Sequence, residues 1–183
     1  MPPPSSVASN WLGFLGELDN LLEEPVTLEC LGGFVVSVLY GLPRPTSDLD
    51  YLEIIPSHAL AQLQTLAGEG SGLWKRHGVN VQHVTVASLP DRYAERLLEI
   101  LPEHFTHLRL WGLEAHDLAL SKLSRNFEVD REDVQFLART VPLDPTVLRS
   151  RYLKELRPIV IGDPREHDLT LDMWLESYFP GSH

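Results

Sequence analysis

The chain has 183 residues, 43% of them hydrophobic, and a formal net charge of -11. That length and apolar content suit one domain, or a core with a small lobe, and the acidic balance disfavours a broad electrostatic grip on nucleic acid, which rests on Lys and Arg neutralising phosphates, while leaving room for a local basic patch. The single cysteine, Cys30, excludes an internal disulfide and fits a reducing cytosol, and no long apolar run suggests a membrane span, so a cytoplasmic protein without a membrane partner is expected. Residues 1–8 are Pro- and Ser-rich, lack an apolar signal core and read as a flexible tail. From Ser9 to Leu22 an amphipathic helix is expected: Trp11, Leu15, Leu18 and Leu22 recur at helical spacing, and Pro25 ends it.

Val26–Leu31 reads as an apolar strand that runs into Gly32-Gly33. Phe34–Tyr40 reads as a helix stopped by Gly41 and Pro43, and Arg44, Thr46 and Ser47 then lead into a strand over Asp48–Ile55. Strand side chains alternate faces, so Asp48 and Asp50 point the same way and Leu49 and Tyr51 the other. Two adjacent carboxylates resist joint ionisation unless a cation lies between them. A hard divalent ion such as Mg2+ meets that need with one or two carboxylates, waters and substrate phosphates. Gly32-Gly33 has no side chains to keep a phosphate from its backbone N–H groups, and it stands near a helix start. A phosphate cradle followed by a metal clamp is what phosphoryl or nucleotidyl transfer requires.

This succession resembles the nucleotidyltransferase superfamily typified by DNA polymerase beta: Gly-Gly, a helix, then Arg44-Pro45-Thr46-Ser47-Asp48-Leu49-Asp50. Within it the chain is most similar to the bacterial branch of AbiEii-type and MenT-type toxins and their small relatives. A second stretch, Asp117-Leu118-Ala119-Leu120-Ser121-Lys122-Leu123 followed by Asp130 and Asp133, resembles the family's lysine helix and its last acidic motif. The resemblance implies an α/β (α+β) fold: a small mixed nucleotidyltransferase-type sheet with flanking helices over 9–113 and a helical C-terminal lobe over 114–183. It implies transfer of a nucleoside monophosphate from a nucleoside triphosphate to a hydroxyl of RNA, tRNA included, or of a protein. Asp48 and Asp50 would hold Mg2+ or Mn2+. Gly32, Gly33 and Ser47 would cradle phosphates, with Thr46 as an accessory, and Arg44 and Lys122 would neutralise the leaving pyrophosphate, with Arg125 sharing the task. Asp130 and Asp133 either favour the positive end of their helix, orient Lys122, or act near the attacking hydroxyl. A toxin role implies a cognate antitoxin. The alternative is a weak or inactive nucleotide-binding, antitoxin or regulatory protein on the same fold.

Ser57–Ala67 reads as a helix capped by Ser57, Gly68–Gly72 as a turn, and Val79–Val86 as a third strand. Many relatives carry a third metal-binding carboxylate on that strand. Here Asn80, Gln82 and His83 stand there, and Glu53 has the opposite strand parity to Asp48 and Asp50. Pro90–Ile100 is expected to be helical with Tyr93, Leu97 and Leu98 buried, and Leu108–Leu113 to be a fourth strand. His104 and His107 have the spacing of a zinc pair but no further ligands at a usual distance, so ordinary histidines are expected. Helices are expected over Glu114–Arg125, Asp130–Thr140, Pro145–Leu156 with Asp144 as cap, and Asp168–Phe179. Arg149, Arg151, Lys154 and Arg157 form the densest basic group, either a solvated helix face or a dock for RNA or an acidic partner.

Overall fold

A computed structural model describes residues 6–180, and the chain divides into two compact units. The first comprises the chain up to Val86 with Leu97–Leu113; the second comprises Ala87–Arg96 and the chain from Glu114 onward. The expected tail over 1–8 falls largely outside the described residues, and its last part, from Ser6, opens the first helix.

The first unit is a five-stranded mixed sheet with helices. In chain order its elements are α1 (Ser6–Leu21), β1 (Val26–Leu31), α2 (Gly32–Val38), β2 (Asp48–Ile55), α3 (Leu60–Ala67), α4 (Gly72–His77), β3 (Asn80–His83), β4 (Leu98–Ile100) and β5 (Leu108–Gly112). The strand order is β3-β2-β1-β5-β4; β1 runs antiparallel to β2 and parallel to β5, and β2 runs parallel to β3. One sheet face, carrying Leu28, Cys30, Leu49, Tyr51, Val81, Leu108 and Leu110, is buried. The helices pack there: Val35 of α2 lies so close to Gly112 that a β-carbon at Gly112 would meet it at 3.0 Å. Trp11 of α1 meets Phe14 and Phe34 edge-on, at ring centroids of 5.7 and 4.8 Å, which is the arrangement the ring quadrupoles favour. Buried Asp19 accepts hydrogen bonds from the backbone N–H groups of Thr106, His107 and Leu108 at 2.7–2.9 Å and so pins the start of β5.

A bulge in β2 changes which side chains share a face. Glu29 pairs with Glu53 and Cys30 with Tyr51, so Leu52 has no partner on β1. Beyond Leu52 the alternation slips by one residue, and Ile54 is buried while Glu53 and Ile55 are exposed. Glu53 therefore shares the face of Asp48 and Asp50, contrary to the expectation from uninterrupted parity.

Several boundaries also differ from the sequence reading. Pro90–Ile100 is not a helix: a short 3-10 turn over Tyr93–Arg96 is followed by β4, with Leu98 exposed. Ala87–Arg96 belongs to the second unit because Arg96 donates to buried Asp117 at 2.7 Å. The third strand is four residues long, since Val84–Val86 leaves the sheet. Ser57 starts a 3-10 turn rather than capping α3, and an unforeseen helix, α4, follows the Gly68–Gly72 turn, capped by Ser71.

The second unit is helical: α5 (Ala115–Leu120), α6 (Glu128–Thr140), α7 (Pro145–Arg151) and α8 (Pro164–Tyr178). α5 is shorter than its pattern suggested and passes into turns at Ser121–Arg125. Asp144 caps α7 as expected, and the chain continues into a π-helical turn at Tyr152–Leu156. α8 starts earlier than expected because Asp163 caps it and Pro164 takes its first position.

Candidate active site

In the first unit α2 opens at Gly32-Gly33, earlier than the expected Phe34, and these glycines meet the Asp-x-Asp strand. Leu31 pairs with Asp50 across β1 and β2, which places Gly32 beside the Asp50 carboxylate. Gly32 has φ +73, a left-handed conformation that side chains disfavour, and a β-carbon there would stand 2.5 Å from Asp50 Oδ2. Only glycine fits against that carboxylate. A β-carbon at Gly33 would likewise stand 3.3 Å from Thr46 Oγ1. Thr46 donates to the Asp48 carbonyl and Ser47 Oγ donates to Asp48 Oδ2 at 3.1 Å, while Ser37 Oγ donates to the Arg44 carbonyl at 3.0 Å and holds the intervening loop. The sequence-predicted residues Gly32, Gly33, Arg44, Thr46, Ser47, Asp48 and Asp50 thus lie on one turn, one loop and one strand of this unit.

Asp48 and Asp50 are both half-buried on the sheet face opposite the helices. Their neighbours on β3 are amides: Asp48 stands opposite Asn80 and Asp50 opposite Gln82. Among the described residues no group of three or more His, Cys, Asp or Glu side chains is arranged to hold a metal, and that covers His104 and His107. The donor set is therefore two hard carboxylate oxygens beside a bare backbone turn. That fits a cation which takes one or two carboxylates and completes its shell with phosphate and water, as Mg2+ does. Cys30, on the other face, is no nucleophile: burial pushes its thiol up, and the charges of Asp50 and Glu29 push it further.

In the second unit Lys122 follows α5 and is buried, with 4% of its surface exposed. Its Nζ donates to Asp133 Oδ2 at 2.7 Å and lies 3.7 Å from Asp130 Oδ1. Asp130 has several partners. Arg125 grips it with two hydrogen bonds at 2.8 and 2.6 Å, and it accepts the Phe127 N–H at the start of α6. Burial raises its carboxyl, but Arg125, Lys122 and the Phe127 amide outweigh that and leave it below the usual carboxylate range. Asp130 is thus both a helix-start acceptor and an anchor for Arg125, and Asp133 holds Lys122.

Three of the four expected basic residues, all but exposed Lys154, are ion-paired within their own unit. Arg149 pairs with Asp172, Arg157 with Asp168, and Arg151 with Glu114 and Asp117. In sequence the residues read either as a solvated helix face or as a dock, because their acceptors, Glu114, Asp117, Asp168 and Asp172, lie elsewhere along the chain.

The model of a family described as a nucleotidyltransferase of unknown function (DUF6036) matches residues 15–175. The chain belongs to that family. No curated protein and no solved structure matches it. Membership makes a nucleoside triphosphate the substrate class and transfer the reaction class. No described helix is long and apolar enough to cross a membrane. Sequence reading passed over Glu29, Glu99 and Trp111 on the face of Asp48 and Asp50, and set Glu53 aside on a parity that the bulge reverses. Their period-2 positions are visible in the sequence, but their common face depends on the bulge and on β1 pairing with β5.

Proposed function

We propose that this family member transfers a nucleoside monophosphate from a Mg2+-bound nucleoside triphosphate to a hydroxyl of RNA or protein. The observation that carries the proposal is the Gly32 turn pressed against Asp50, because a backbone and a carboxylate so close can share one phosphate–metal unit. Asp48 and Asp50 hold the ion, and Mn2+ would suit the same oxygens. When bound, the metal neutralises phosphate charge and makes an oxygen nucleophile easier to deprotonate. Gly32 and Gly33 present backbone N–H groups without side-chain obstruction, and the Ser47 hydroxyl, which donates to Asp48, also fixes that carboxylate's orientation. α2 has only seven residues, so close approach rather than a long helix dipole favours the anion here. Arg44 adds positive charge from the loop that enters β2. Lys122, held by Asp133, and Arg125, held by Asp130, are ion-paired within the second unit. A toxin role with a cognate antitoxin, as in the AbiEii and MenT groups, is the biological setting proposed.

A second reading has its own observation. The amides Asn80 and Gln82 stand opposite Asp48 and Asp50, where a third carboxylate would strengthen a second metal site. On that reading the protein binds nucleotide and turns over slowly or not at all. One experiment separates the two. α-Labelled nucleoside triphosphates with Mg2+ or Mn2+ are offered to total RNA and to lysate protein. Label transferred by the wild type and lost in Asp48→Asn is expected. Binding of all four nucleotides with no transfer under either metal would favour the second reading.

A further inference from the structure

The sheet face that carries Asp48 and Asp50 also carries an aromatic residue. Trp111 on β5 stands opposite Glu29 of β1 on one side and Glu99 of β4 on the other, and Glu29 in turn stands opposite Glu53 of β2. Paired residues share a face, so these four side chains form a row across the sheet, parallel to the Leu31–Asp50–Gln82 row. Trp111 is half-buried, with part of its surface open. From the Asp50 row to the Trp111 row is two residues along β1, and from β2 to β5 is two strand spacings, which together give about 12 Å between the two backbone positions. That is comparable to the separation of base and phosphates in an extended nucleotide.

We propose that Trp111 is the platform on which the substrate base stacks, and that Glu29 and Glu99 favour bases bearing an amino group; the inference rests on Asp48 and Asp50 holding the metal-bound triphosphate. Every base has a π-face, so stacking on an indole adds affinity without choosing a base. The carboxylates supply the choice. An ionised carboxylate only accepts hydrogen bonds. Adenine, cytosine and guanine each offer an exocyclic amino donor, whereas uracil offers only its ring N3–H, set between two carbonyl oxygens that a carboxylate repels. Glu29 and Glu99 are half-buried, and a carboxylate left without a donor there disfavours the base that cannot supply one.

Calorimetric titration of the full chain in Mg2+ tests this, with inorganic tripolyphosphate as a base-free probe beside ATP, CTP, GTP and UTP. The wild type should bind an amino-bearing nucleotide about tenfold or more tightly than tripolyphosphate, with UTP the weakest of the four nucleotides. Trp111→Ala should bring the nucleotides down to the tripolyphosphate level and leave tripolyphosphate unchanged, while Trp111→Phe keeps most of the gain. The double variant Glu29→Gln, Glu99→Gln should close the gap to UTP. Equal losses for nucleotide and tripolyphosphate in Trp111→Ala, with the Phe variant behaving alike, would assign Trp111 to folding alone and overturn the platform. Unchanged nucleotide affinity would also overturn it, while leaving the triphosphate site standing. Failure of wild-type protein to bind tripolyphosphate with Mg2+ would remove the triphosphate site itself, and the platform with it.

Discussion

The two units treat acidic side chains in opposite ways. In the helical unit, fully buried Asp117 is gripped by Arg96 through two hydrogen bonds and by Arg151 through a third, and Asp133 and Asp130 are held by Lys122 and Arg125. In the sheet unit, half-buried Asp48 takes a hydrogen bond from a neutral hydroxyl, and Asp50 abuts a bare glycine turn. A carboxylate removed from water needs fixed partners, cations in the helical unit and three backbone N–H groups around Asp19 in the sheet unit, so the buried ones are tied into the architecture. One left partly in water beside an open backbone can take a mobile cation instead. Burial therefore separates acids that hold the fold from acids that can do chemistry, although both sets come from the same acidic chain.

The sharpest test of that contrast is Asp117→Ala. It would remove the buried acceptor that Arg96 and Arg151 share, leaving them Glu155 and Glu114, and should cost about 3 kcal/mol of stability in urea unfolding, the lower end for breaking a buried pair. Asp48→Asn, by comparison, should unfold at nearly the wild-type midpoint. Similar losses for the two would erase the distinction.

Acid should act next most strongly, and on the helical unit. Burial raises the Glu114 carboxyl, but His116 and Arg151 outweigh it and hold it down at about 2, from an ordinary 4.5. The Arg157 guanidinium and the Tyr152 hydroxyl hold Asp168 at about 2 as well, from 3.8. A carboxyl depressed by folding contributes stability that is present above its ordinary value and is lost as pH falls through the folded one. For Glu114 that contribution is about 2–3 kcal/mol, lost between about pH 4.5 and 2. Glu114→Gln should make helical circular dichroism less dependent on pH across that window, at the cost of lower stability at neutral pH. An unaltered acid transition would break the assignment.

Gly32→Ala should have a smaller effect on stability, about 1–2 kcal/mol, from the positive φ and the clash with Asp50. It should nonetheless remove the rise in melting temperature that Mg2+ and nucleotide give the wild type. Retention of the full rise would separate the glycine turn from the ligand. The smallest effect is expected at Arg149, whose pair with Asp172 is half-exposed. Arg149→Ala should change stability by less than about 0.5 kcal/mol, and RNA retention on a filter should not change, since the guanidinium is already occupied. A clear drop in RNA retention would restore the basic group as a dock.

How far the sequence reached can be judged element by element. β1 and β2 were legible from apolar alternation, and α1 from the spacing of Trp11, Leu15, Leu18 and Leu22, because backbone periodicity is local and burial writes it directly into residue choice. The shared face of Asp48 and Asp50 was legible for the same reason, since no bulge lies between them. Gly32 could be marked as a place for close approach, but its contact with Asp50 needed the register between β1 and β2. Beyond Leu52 the local rule failed: one unpaired residue moved Glu53 to the other face, and a bulge follows from strand pairing rather than from composition. β4 was missed because a three-residue edge strand has too short a pattern to stand against the helix-like spacing of its neighbours. The basic residues of α7 and the turn after it looked free because Glu114, Asp117, Asp168 and Asp172 reach them only in the folded chain. By itself the sequence determined elements such as α1, β1 and β2 and the paired carboxylates, which depend on near neighbours. Tertiary structure alone decided which charges cancel and that Trp111 shares the carboxylates' face, because both depend on strand order and on contacts between residues distant along the chain.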